Sequence, residues 1–220
     1  MPEIYHFWSD ISNLTQYKAD LIFHCDADEF WLPKSGNLKN ELTSSDADVF
    51  FVDVVNVLLE DKGSEESFPM DTKYAVIKPI ESNNLEEDSK SANLYLFRYP
   101  SKVIFKTAKG FLEVDEGNHA IRGDSRNLIT KLSEDIKVYH YPIRSREHFF
   151  RKVIQGGVGF SLNKQSDKTI GWHWRRWYES YQNGRLDDEY KKLAIIKEKA
   201  DKLLSEGIIA RFDFEKFING

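Results

Sequence analysis

One cysteine, two methionines and six prolines stand among 220 residues. The single thiol, Cys25, excludes a disulfide within the chain and a zinc site built on several thiolates, and it fits a reducing compartment, so a cytoplasmic location is expected. No apolar run approaches the roughly 20 residues needed to span a bilayer, which leaves peripheral association as the expected form of any membrane contact. The opening MPEIYHFWSD lacks the basic head and apolar core of a secretory signal. Basic charge is also short: 31 Lys and Arg face 36 Asp and Glu, for a net charge of -5 and a pI near 5.7. A broad phosphate-tracking surface, and with it a nucleic-acid partner, is therefore not expected. Aromatic residues, by contrast, are plentiful. Fifteen Phe, ten Tyr and five Trp supply the apolar surface of a real core and exclude disorder over the whole chain.

Short apolar runs alternate with polar punctuation to about residue 140, and longer segments with helical spacing follow. The expectation is a single α/β domain over 1–220, with a sheet part over 1–141 and a mainly helical part over 142–220. Phe7, Trp8, Ile11, Leu14 and Tyr17 recur at helical spacing. LIFHC at 21–25 is a buried strand that stops at acidic residues. VFFVDVVNVLL at 49–59 is a long strand, rich in β-branched and aromatic side chains. Further strands are expected at 94–97, 103–105 and 136–141, and solvent loops at 60–72 and 81–92. Ser145 is placed to cap a helix that ends at Gly156-Gly157. Another helix begins near Trp172, and the longest runs from Asp187 or Asp188 to Gly207. The aromatic tail IIARFDFEKFING is expected to dock on the body.

The stretch richest in chemistry is HCDADEFW at 24–31. Alternate residues of an extended chain point the same way, so Asp26 and Asp28 can present two carboxylates to one small volume beyond the strand. Hard divalent cations take such oxygens, and ligands of open α/β sheets gather at strand carboxyl ends. The triplet alone is weak, since chance yields about 1.5 Asp-x-Asp in a chain of this composition, and two occur here. Asp46-Ala47-Asp48 precedes its strand and is read as a solvated turn.

HCDADEFW, then GNH at 117–119, YHYPIRSREHFFRKV at 139–153 and GWHWRRWY at 171–178 together resemble the family 2-like glycosyltransferases of GT-A fold. The resemblance implies a Rossmann-like mixed sheet flanked by helices, a nucleotide-diphosphate sugar as donor, and Mn2+ or Mg2+ held by Asp26 and Asp28. It also implies a chain lacking the N-terminal part of the nucleotide-binding region, because only 20 residues precede LIFHC.

Within those motifs His140, and after it His119, are the candidate imidazole ligands of the metal. Arg144 and Lys152, beside the start of the helix after His140, are candidates for gripping the diphosphate. Inverting transfer to a glycan or other hydroxyl acceptor needs a carboxylate base, for which Glu113, Asp115 and Glu116 are the candidates. Trp172, Trp174, Trp177, Tyr178 and Tyr181 share a helical spacing that is commoner for core than for sugar stacking. Two alternatives stand beside the transferase: a non-catalytic glycan- or partner-binding remnant of such an enzyme, and a phosphohydrolase using Asp26 and Asp28. The second is weakened by Phe30, where such sites carry Thr or Val.

Overall fold

The computed structural model describes residues 20–60, 74–107, 112–114, 116–123, 127–162 and 171–215. In chain order the elements are β1 (Leu21–Phe23), β2 (Glu29–Pro33), α1 (Leu38–Thr43), β3 (Val49–Leu58), β4 (Tyr74–Val76), α2 (Leu85–Asp88), β5 (Lys102–Lys106), β6 (Leu112–Val114), β7 (Ile121–Gly123), β8 (Thr130–His140), α3 (Arg146–Leu162), α4 (Trp172–Gln182), α5 (Leu186–Leu193), α6 (Lys197–Ser205) and β9 (Ile209–Arg211). The fold is mixed α/β. Its residues group into two units, Met1–Val54 with Tyr99–Tyr139 and Val55–Arg98 with His140–Gly220. The helix expected over 7–17 lies outside the described residues.

In the first unit β1 pairs antiparallel with β5, setting Leu21 opposite Lys106 and Phe23 opposite Ile104. Strand β5 pairs antiparallel with β3, setting Val49 opposite Phe105 and Val52 opposite Lys102, and β8 pairs with both β3 and β2. Alternate residues point to opposite faces. Val49, Val103 and Phe105 join Ile22 and Val114 in one apolar cluster, while Phe50, Val52 and Ile104 join Leu42, Ile136 and Val138 in another. Both faces of β3 are covered here, which explains why its sequence is almost continuously apolar instead of alternating. Asp48 corrects the solvated-turn expectation. It is buried, its carboxylate accepts from Ile129 N–H at 2.9 Å, and its own N–H donates to the Ile129 carbonyl at 2.8 Å.

In the second unit Val57 and Leu58 of β3 pair antiparallel with β4, and β4 pairs antiparallel with β9. The tail thus docks as expected, with Phe214 buried and edge-on to Tyr141. Ser145 caps α3, its hydroxyl accepting from His148 N–H at 3.0 Å. The helix then passes through Gly156-Gly157 to Leu162, where the sequence predicts a stop. A Cβ on Gly157 would lie 2.2 Å from Tyr178 Cγ, and one on Gly156 would lie 2.9 Å from Trp174 Cε3. The pair therefore lets α3 and α4 approach closely and is not a terminator.

The segment at 94–97 is a buried 3-10 turn over Leu94–Leu96 instead of a strand. Asn93 imposes it by accepting from Tyr95 N–H at 2.9 Å through its side chain. The Asn93 amide also donates to the Leu193 carbonyl at 2.6 Å, at the end of α5. The expected long helix breaks there. Ile195 N–H donates to the Leu59 carbonyl at 2.9 Å, with Ala194 and Ile196 extended on either side, before α6 begins. Residues 81–92, read as loop, carry α2. Among the described residues no helix is long and apolar enough to cross a membrane.

Candidate functional site

The chain leaves β1 and turns at once. Glu29 N–H donates to the Asp26 carbonyl at 3.0 Å, and Asp26 N–H returns a 3.3 Å bond to Glu29 Oε2. Ala27 and Asp28 occupy the centre of this turn, so Asp26 and Asp28 do not lie along an extended strand as their spacing predicts. What fixes the turn is Lys102, the first residue of β5. Its ammonium lies 2.9 Å from Asp26 Oδ2, 2.9 Å from Glu29 Oε1 and 2.9 Å from the Gly117 carbonyl. Three N–H donors thus meet three oxygens, the full complement of a lysine. The Lys102 and Glu29 side chains are only 4% and 2% exposed, whereas that of Asp26 is 55% exposed.

Burial opposes the charge on Lys102, but the hydrogen bonds and charges of Asp26 and Glu29 outweigh it and hold its pKa above the ordinary lysine value. The surroundings remain negative. Burial, and then Asp28, Glu29 and Asp26, push the Tyr99 hydroxyl up to about 12. Burial, followed by Glu29 and Asp26, also raises the Cys25 thiol, which disfavours its reactive thiolate form.

The GNH loop reaches this turn through its backbone. Gly117 and Asn118 have φ of 79° and 62°, consecutive left-handed conformations that turn the Gly117 carbonyl onto Lys102. A Cβ on Gly117 would meet His119 Cδ2 at 2.8 Å, so only glycine suits the bend. Asn118 is buried with no hydrogen bond to its side-chain oxygen. His119 Nδ1 donates to the Ser101 carbonyl at 3.1 Å, and its ring sits edge-on to Tyr99. Two of the quoted motifs therefore converge on the residues just before and at the head of β5. Of the three candidate bases beside GNH, Asp115 lies outside the described residues. Only the backbone is described for Glu113 and Glu116, in β6 and in the 3-10 turn Glu116–Asn118.

His140 belongs to the second unit. Buried at the end of β8, its Nδ1 is 2.9 Å from Asn56 Oδ1, while Asn56 Nδ2 donates to the Tyr95 carbonyl at 3.0 Å. Because Asn56 spends its amide on that carbonyl, it presents an oxygen to His140 and fixes the imidazole proton on Nδ1. Asn56 thus orients a histidine that the sequence picked out without its partner. Arg144 turns to its own helix, 2.9 Å from His148 Nε2, and Lys152 donates to the Pro142 carbonyl at 3.3 Å and lies over the Trp174 ring. The Trp172–Tyr181 stripe is mainly core: Trp177 is 1% exposed and edge-on to Phe149, and Trp172, Trp174 and Tyr178 pack on the same cluster.

An open polar hollow of about 240 Å³ lies elsewhere in the first unit, lined by residues that include Glu41, Ser45, Lys131 and Ser133. No residue of the acidic turn lines it. Among the described residues no three His, Cys, Asp or Glu side chains gather to hold a metal ion by themselves. Lys102 and Glu29 were missed by sequence reasoning. The signal available was a lysine heading the apolar strand KVIFK, opposite Val52, where a solvent-facing charge would be out of place. Comparison with protein-family models, curated proteins and solved structures finds no significant match in any of the three.

Proposed function

We propose that this chain is a glycosyltransferase of GT-A type, moving a sugar from a nucleotide-diphosphate donor to a hydroxyl acceptor with inversion. The supporting observation is the convergence of DADE and GNH on Lys102, although Asp26 and Gly117 stand 91 positions apart. The turn leaves Asp26 exposed and Asp28 half-buried in a negative field. Two carboxylates suffice for a magnesium- or manganese-like ion that completes its shell with substrate phosphate and water, and Asp26 and Asp28 are the residues that would hold it. When bound, the ion supplies charge stabilisation to the departing diphosphate. Lys102 and Glu29 hold the turn so that these carboxylates need not reorganise as the donor binds. In the second unit, Asn56 keeps the His140 proton on Nδ1.

The test is thermal stabilisation of the purified chain by UDP or GDP with Mn2+, together with Mn2+-dependent hydrolysis of the matching nucleotide sugars. Asp28→Asn is expected to abolish both. Full stabilisation and turnover in that variant would remove the metal assignment. A non-catalytic remnant is the second reading, favoured by the internal pairing of Asp26 with Lys102 and of His140 with Asn56. It predicts nucleotide or glycan binding with no hydrolysis in the unmodified chain.

A further inference from the structure

We infer that Asp26 Oδ2, Glu29 Oε1 and the Gly117 carbonyl form a cation seat that Lys102 fills from within the fold, making Lys102 the residue that positions the acidic turn. What the turn presents to a ligand rests on the transferase reading; the seat does not. Each of the three oxygens lies 2.9 Å from the same nitrogen. Glu29 is almost wholly buried, and its second oxygen is already bonded to Asp26 N–H. A carboxylate so enclosed demands a positive partner, since an unpaired buried charge is far costlier than a paired one. The Gly117 carbonyl is brought to the seat by two successive left-handed residues, a conformation open to glycine and asparagine. Three oxygens around one cation are also the start of a hard-metal shell. The seat is therefore selective for positive charge and not for lysine as such: without the lysine, a small exogenous cation takes its place.

The experiment removes the ammonium and offers substitutes. Lys102→Ala is expected to lower the thermal midpoint of the full chain by about 10 °C, the loss typical of breaking one side of a buried ion pair in a chain this size. Millimolar propylammonium, which matches the excised atoms, or Mn2+ restores about half of that loss. Propanol, of similar shape but uncharged, restores none. Electron paramagnetic resonance detects one Mn2+ bound to Lys102→Ala, without nucleotide, at least tenfold more tightly than to the unmodified chain. Adding Glu29→Gln removes the buried charge, so the double variant recovers stability over Lys102→Ala and loses its Mn2+ response. That comparison also serves if Lys102→Ala alone does not fold. Equal rescue by propanol, absence of rescue by either cation, or a double variant no more stable than Lys102→Ala overturns the seat. Stabilisation of the unmodified chain by nucleotide with Mn2+ is read separately and bears only on the transferase.

Discussion

The two units differ in how completely they enclose their buried polar groups. In the first, a full charge is enclosed, and Lys102 is tolerated because every donor it carries has an oxygen at 2.9 Å. In the second, Asn56, His140 and the Tyr95 carbonyl form a chain of hydrogen bonds and His173 sits among Trp172, Trp174 and Trp177, while the buried carboxylate of Glu189 pairs with Lys192 at 2.8 Å and Arg176 at 3.6 Å, both partly exposed. Burial and then the charges of Arg176 and Lys152 lower the His173 pKa to about 4. Ionic burial requires complete partners, whereas neutral burial requires that a proton be kept out.

The sharpest way to break the second unit is at its closest helix contact. Gly157→Ala places a methyl group against Tyr178 Cβ and Cγ, atoms anchored near the backbone of α4, and is expected to cost about 3 kcal/mol in urea unfolding. Gly159 meets nothing within 4 Å, so Gly159→Ala in the same helix gains up to about 1 kcal/mol from helix propensity. Next comes acid. At pH 7 His173 is neutral in the folded state and mostly neutral in the unfolded chain. As the pH falls through 6.5 the unfolded chain takes up a proton that the folded chain refuses until about pH 4, so stability declines over that window and levels off below it. The loss between pH 7 and pH 5 is about 2 kcal/mol, and His173→Phe removes this part of the slope. The smallest effect contrasts exposed with enclosed charge inside the first unit. Lys34 pairs with Asp135 at 3.2 Å, with both side chains more than half exposed, and Lys34→Ala should change stability by less than about 0.5 kcal/mol.

Residue patterns foretold what depends on local composition. The strand at 49–58, the Ser145 cap, the start of α4 and the docking of the tail all follow from apolar runs and capping chemistry. The misreadings share another origin. Gly156-Gly157 resembles a helix end because glycine is usually a terminator, and only the rings of Trp174 and Tyr178 across the contact reveal its purpose. Leu94–Leu96 and the gap between α5 and α6 are both governed by Asn93, which acts on a residue two positions away and on one a hundred positions away. At the candidate site the acids and histidines stand out by type. Lys102, Glu29 and Asn56 do not, because a buried partner is recognisable only once its neighbour is placed. The twist of chain that sets Asp28 in a turn is likewise imposed by Lys102, not by the DADE residues alone.

Lys102 also bears on the order of events as the chain acquires its structure. Its partners come from two stretches, with Asp26 76 positions away and Gly117 15 away. The ion pair can close only after β1 and β5 have met, so it is expected to form late, which folding and unfolding rates of Lys102→Ala measured by stopped flow would check. Contacts that form late lengthen the lifetime of the native state while leaving the rate of its formation nearly unchanged. On that expectation the buried ammonium is a latch on time: the Lys102→Ala chain assembles at the same pace and comes apart sooner.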